Sequence, residues 1–214
     1  MDAFVEAGVR RAVYTSFLRA APEAVFTLAR DHFHTRSSIS SRPACSSARC
    51  ATASIRNVLP DLVDGGLIRG PAGTGRFAPV SRADIADVAV ALLLDDDQPT
   101  ARFDVTGPEL LTMAEVADLL GEAAGSPVPC VNGTLAEAYA SRAHSDVPTF
   151  EIEGWVTSYH AIAVGELAIA SGAVESITPS APASRPEPGR ALPAGPDNWI
   201  GGNTEGNGGR SRHA

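Results

Sequence analysis

The sequence predicts an open α/β fold built on a parallel sheet, and three observations predict it. The first is an α-β-α step near the start. Residues 2–9, with Phe4, Val5 and Val9 apolar among Asp2, Glu6 and Arg10, form the end of an amphipathic helix closed by Gly8. A strand follows over Arg11 to Ser16, with the buried run Ala12-Val13-Tyr14 and polar Thr15 and Ser16 at its carboxyl end. A second helix runs from Ala24 to about Thr35 with Phe26, Ala29 and Phe33 on one face. The second observation is a further strand, Arg102 to Thr106, which alternates in character and stops at Gly107-Pro108. The third is that this strand lies between two capped helices, a βα alternation typical of parallel sheets. Ligands of such sheets bind beyond the carboxyl ends of the strands, so Thr15 to Phe17 are the first place to look for chemistry.

With 214 residues and 44% hydrophobic content, the chain holds enough apolar surface for one domain and a tail. A net charge of −8 argues against phosphate backbones and anionic membranes, which need clustered cations. No apolar run reaches the ~20 residues of a membrane span, and no secretory segment opens the chain, so a cytoplasmic location is expected. Cys45, Cys50 and Cys130 form no Cys-x-x-Cys pair, and His32 and His34 precede them at no zinc spacing, so no metal is expected. The chain contains no lysine. Any mechanism that needs one is thereby removed.

Between Arg36 and Arg56 the character changes. The interval is rich in Ser, Ala and Arg, has no period and offers little to bury, although the next sheet strand belongs here. A long Ser-rich loop or an error of reading frame is the expectation. Beyond it, Val58 to Val63 reads as a short helix, Leu67 to Arg69 as extended, and the glycine cluster Gly70 to Gly75 as a turn rather than a phosphate loop, since no Gly-Lys-Ser/Thr follows. Ser81 to Asp84 caps a helix over Ile85 to Leu94 that buries Ile85, Val88, Ala89 and Leu92, and Asp95 to Asp97 end it as solvated acids. Thr112 and Glu115 make a capping box for a helix to about Ala124. Pro127 to Val131 reads as a strand, and Leu135 to His144 and Ile152 to about Ile169 as helices. Asn132-Gly-Thr134 fits a glycosylation sequon by chance. From Thr178 the Pro-, Gly- and Ser-rich chain is expected to be disordered.

Six stretches taken in order carry a resemblance. They are Ala7 to Phe17, Thr27 to His32, Ile68 to Gly73, Asp84 to Val88, Asp104 to Glu109 with Thr112 to Val116, and Glu137 to Arg142. Together they resemble the NmrA-like atypical short-chain dehydrogenase/reductases, above all the NAD(P)H:quinone oxidoreductase-like branch. The resemblance implies a Rossmann-type doubly wound sheet with a small α+β C-terminal substrate lobe, and covers about residues 2–35 and 57–178. It implies NAD(P) as cofactor, NADP(H) ahead of NAD, and a quinone-like small molecule as substrate, with a homodimer compatible with it.

The family's Gly-x-x-Gly-x-x-Gly loop does not occur in this chain, which resembles the family's later part with the first βαβ half missing. That departure weighs against cofactor binding by this chain. The family has a buried strand where residues 36–56 lie, and codons for Ala48 to Ile55 admit a neighbouring frame reading Ala-Leu-Arg-Asp-Ser-Ile-Tyr, so a frame error is expected there. The expected organisation is a partial NAD(P)-binding domain over 1–56, the remaining sheet elements and substrate lobe over 57–178, and a tail over 179–214. Without lysine the Tyr-x-x-x-Lys pair of ordinary short-chain dehydrogenases cannot form.

In the resemblance Thr15, Ser16 and Phe17 line the nicotinamide and His32 faces the cofactor as a hydrogen-bond or proton donor near neutral pH. Tyr14, Trp155 and Tyr159 stand on the substrate side. Each has a plainer reading: hydroxyls satisfying loop backbone, a solvated histidine, and core packing of a C-terminal helix. His34 points away from His32 on the helix. The function implied is hydride transfer from NAD(P)H to a quinone or related carbonyl. The alternatives are a non-catalytic dinucleotide sensor and an inactive fragment.

Overall fold

The structure is a computed structural model that describes residues 6–9, 11–40, 46–52, 67–95, 101–143 and 146–178, with backbone alone for 36–40 and 46–52. Eleven elements follow in order: β1 (Arg11–Phe17), α1 (Thr27–Ser40), β2 (Ser46–Thr52), β3 (Ile68–Gly70), α2 (Arg82–Leu94), β4 (Arg102–Val105), α3 (Met113–Ala124), β5 (Cys130–Asn132), α4 (Leu135–Arg142), α5 (Thr149–Ala163) and α6 (Ala173–Ile177). Three strands form a parallel sheet in the order β1-β2-β4. β1 pairs with β2 over its whole length, Arg11 opposite Ser46 through Phe17 opposite Thr52, and β2 pairs with β4 from Arg49 opposite Arg102 to Thr52 opposite Val105. A second, two-stranded parallel sheet joins β3 and β5, Ile68 opposite Cys130. The α/β class with a parallel sheet is thus as the sequence predicts.

A parallel sheet buries both faces, and two apolar clusters pack against this one. Val13 packs with Val88 and Leu92 of α2, Val105 of β4 and Val174 of α6. Phe17 packs in the other cluster, with Phe26, Ala29 of α1, Val116 and Leu120 of α3, and Tyr159 and Ile162 of α5. Local signals place the helices. Ser81 Oγ accepts from the Asp84 N–H at the start of α2, and Thr112 and Glu115 exchange both bonds of the capping box, with Arg76 pairing with Glu115 at 3.1 Å. α6 was not anticipated. It is held on the sheet edge by Ser171, whose Oγ donates to the Asp104 carbonyl and whose N–H donates to Thr106 Oγ1 at 2.8 Å.

Several expectations shift. Where the sequence offers a long Ser-rich loop as one expectation, residues 46–52 form β2, the middle strand, held on both sides by backbone ladders that need no apolar side-chain pattern. α5 ends at Ala163 and does not run to Ile169, because Gly165 turns the chain at φ 80 and Glu166 Oε1 then accepts from the Val25 N–H at 2.8 Å. β5 begins at Cys130, not Pro127, since prolines have no N–H for a ladder; the Pro129 carbonyl instead accepts from the Ile68 N–H at 2.9 Å. The expected helix over Val58 to Val63, the tail beyond Thr178, Cys45 and Trp199 lie outside the described residues. Among the described residues no helix is long and apolar enough to cross a membrane.

Three glycines mark close approaches, and they rank by what a Cβ would strike. At Gly75 it would overlap the Ile162 backbone, at Gly70 the ring of buried Tyr159, and at Gly154 it would come within 2.9 Å of Leu28 Cδ1, the mobile end of a side chain. Gly75→Ala is therefore expected to cost about 3 kcal/mol and Gly154→Ala about 1 kcal/mol. Urea denaturation of the two variants, read as a fall in midpoint with unchanged slope, checks the ranking; equal losses would contradict it.

Candidate functional site

The carboxyl end of β1 brings together residues that the sequence placed there separately. Tyr14 leaves β1 towards α1, where its hydroxyl lies 2.9 Å from His32 Nδ1. Phe17, just beyond, meets the His32 ring edge-on with centroids 4.8 Å apart and Phe26 at 4.6 Å. The helix that carries His32 is fixed against α5: Leu28 packs where Gly154 leaves room, and the Thr27 N–H donates to Thr157 Oγ1 at 3.2 Å. Tyr14, His32 and Phe17 are partly exposed, Thr15 is exposed and Ser16 is buried. The product is an aromatic corner with one hydroxyl-imidazole hydrogen bond in it.

Burial holds the His32 pKa below its usual value, against the opposing pull of the Asp31 carboxylate and of a hydrogen bond with the Thr15 backbone. The imidazole is accordingly neutral at pH 7. A neutral imidazole has one donor and one acceptor nitrogen, and the one facing Tyr14 is free to take either part.

Trp155 and Tyr159 stand elsewhere on α5. Tyr159 is 3% exposed, its ring lies over Gly70, and its hydroxyl has no hydrogen-bond partner among the described residues. Burial pushes its pKa up to about 12, with Arg142 pulling down and Cys130 adding to the rise. Trp155 is partly exposed and its carbonyl accepts from Ser158 Oγ at 2.7 Å. Among the described residues the ring contacts around Tyr14, His32, Phe17 and Phe26 do not extend to either residue. Tyr159 joins Phe17 through the apolar core.

His34 is exposed and lines an open groove of about 450 Å³ with Leu28, Arg30, Asp31, Phe150 and Glu153. The glycine cluster is a turn in which the Gly73 N–H donates to Asn132 Oδ1 at 2.8 Å and the Gly75 N–H to the Ala72 carbonyl at 3.1 Å. Asn132 and Thr134 thus have structural duties, for Thr134 and Glu137 form a second capping box at α4. The Thr-x-x-Glu spacing was legible in the sequence and was passed over for the sequon. Cys130 is exposed, and among the described residues no three His, Cys, Asp or Glu side chains are placed to share a metal ion.

Among the described residues the β1 corner supplies aromatic faces and a polar pair that a planar ring could meet, whereas the glycine turn has its Gly73 and Gly75 N–H groups bonded within the protein and is followed directly by no helix.

No protein-family model matches the chain. Over 68 residues it is 43% identical to an NAD(P)H azoreductase of Xenophilus azovorans, a match covering 32% of this chain and 24% of that protein. Its fold resembles that of an NADPH-dependent quinone oxidoreductase of Escherichia coli, with a TM-score of 0.72, 22% identity, and coverage of 85% of this chain and 66% of the other. A nucleoside-diphosphate-sugar epimerase of Staphylococcus aureus gives 0.73 at 22% identity, covering 85% and 64%. The chain therefore spans about a quarter of the curated relative it matches and about two thirds of these solved chains. These likenesses agree with the resemblance read from the motifs, and the fold is a Rossmann-like α/β fold.

The depressed His32 pKa sets a pH dependence of stability. The folded chain holds its proton less tightly than the unfolded chain, so stability is full above the unfolded value near 6.5 and falls as pH drops through it towards the folded value. Urea midpoints measured between pH 5 and pH 7.5 are expected to fall towards acid less steeply in His32→Gln than in the wild type. Parallel profiles would contradict the burial of a neutral imidazole.

Proposed function

We propose that this chain is part of an NAD(P)H-dependent oxidoreductase that passes a hydride to a quinone or related carbonyl acceptor, with NADP(H) the preferred cofactor. The observation that carries the reading is the corner formed by Tyr14, His32 and Phe17 at the carboxyl end of β1, the place where Rossmann-like sheets hold their ligands. In this reading Thr15, Ser16 and Phe17 lie along the nicotinamide, His32 supplies the proton or hydrogen bond that the reduced acceptor needs, and Tyr14 borders the acceptor, with buried Tyr159 in the core behind it. The dinucleotide supplies the hydride when bound, and the chain's own residues orient it and exclude water. The protein works in the cytoplasm on a small-molecule substrate, and a homodimer is compatible with the reading.

A second reading has an observation of its own. The chain has no lysine for a Tyr-x-x-x-Lys pair, which favours a dinucleotide sensor that catalyses nothing, while the lack of a Gly-x-x-Gly-x-x-Gly loop favours a fragment with neither property.

Titration of the purified chain with NADPH, followed by tryptophan fluorescence, separates the fragment from the other two; saturable quenching is expected, and a flat response would refute cofactor binding. Consumption of NADPH on adding a simple quinone then separates reductase from sensor. The reductase reading expects turnover that falls about a hundredfold in His32→Gln, the size of a lost general acid.

A further inference from the structure

Two contacts fix the His32 imidazole. The Tyr14 hydroxyl faces Nδ1 at 2.9 Å and the Phe17 ring meets the imidazole edge-on. With Nδ1 engaged by Tyr14, this nitrogen reaches a ligand through the phenol oxygen of partly exposed Tyr14. A phenol has one proton and two lone pairs. While the imidazole is neutral with its proton on Nε2, Nδ1 accepts the Tyr14 proton and the phenol has only lone pairs to offer. Once the imidazole is protonated, Nδ1–H donates to the phenol oxygen and the hydroxyl proton is released to turn outward.

We propose that His32 meets a carbonyl-bearing ligand through Tyr14, the direction of the hydrogen bond between them setting whether the phenol offers that ligand a proton or a lone pair. The inference rests on the carbonyl-acceptor reading above. Tyr14 is then the residue in contact and His32 the positioning residue behind it. A quinone oxygen only accepts, so a bound quinone selects a ring protonated on Nδ1, which every imidazolium is and only one neutral tautomer is, and it thereby draws a proton onto His32. Burial acts the other way and keeps the empty site neutral.

The charged and titratable groups on the packed elements are few. α1 carries Arg30, Asp31, His34 and Arg36; β1 carries Arg11, at the strand's opposite end; α5 carries Glu151, Glu153, Tyr159 and His160. Arg30, Asp31, His34 and Glu153 share the groove, and Asp31 favours the charged imidazole. By linkage, quinone affinity is greatest below the free site's His32 pKa, declines as pH rises towards the bound value and is flat above that.

The test is an NMR titration of the chain labelled with 15N-histidine, with and without a water-soluble naphthoquinone, in the wild type and in Tyr14→Phe. The quinone is expected to raise the His32 pKa in the wild type and to bind about fivefold more tightly at pH 5 than at pH 8. In Tyr14→Phe the quinone is expected to leave the His32 titration unmoved, with His34 and His160 unchanged throughout. A quinone that binds without moving His32, or that moves it equally in Tyr14→Phe, overturns this inference and leaves the acceptor reading standing. Absence of saturable quinone binding overturns the acceptor reading and the inference with it.

Discussion

The parallel ladder of β1, β2 and β4 is the constraint from which the rest follows. Parallel strands must be joined by crossovers, and both faces of the sheet must be covered. The chain meets this with one apolar cluster that joins Val13 to α2 and α6 and another that joins Phe17 and Phe26 to α1, α3 and α5. The same constraint sends all three carboxyl ends the same way. Thr15, Ser16 and Phe17 therefore come to the rim of the sheet, where the neighbouring helix presents His32.

That helix is not placed by its own sequence alone. α1 is held at its start by Thr157, along its length by Leu28 against Gly154, and near the strand end by the Tyr14 hydroxyl. Gly154 removes a side chain so that two helices approach closely, and the polar Thr27 and Thr157 pair beside it. The lobe carrying β3, β5 and α4 is fixed by comparable means: Tyr159 lies over Gly70, and Asn132 takes the Gly73 N–H. Where two backbones must nearly touch, glycine and a small hydrogen-bonding partner recur.

Much of this was legible because the signals are local. Ala12, Val13 and Tyr14 announce a strand, Phe26, Ala29 and Phe33 a helix face, and Thr112 with Glu115 a helix start, each within a few residues. Misreadings arose where distant contacts decide. β2 has no apolar pattern, and its strand identity comes from partners on both sides. The stop of α5 at Gly165 depends on a side chain from residue 166 reaching back to residue 25. At the site, the sequence offered Tyr14 and His32 as separate candidates. Their hydrogen bond joins residues eighteen positions apart, which no spacing rule reveals.

In the proposed reading the chemistry turns on the competition at His32 between burial, which favours the neutral ring, and the groups that favour charge. A lysine-free chain has no ammonium to fix a hydride acceptor, so an aromatic corner with one switchable hydrogen bond is what its β1 edge offers. The most direct test of that account is backbone NMR of the labelled chain on adding reduced nicotinamide mononucleotide, which keeps the nicotinamide and one phosphate and lacks the adenylate half. The account predicts saturable shifts centred on Thr15, Ser16, Phe17 and the segment around His32. Shifts confined to the groove at Phe150 and Glu153, or none at millimolar ligand, would contradict it.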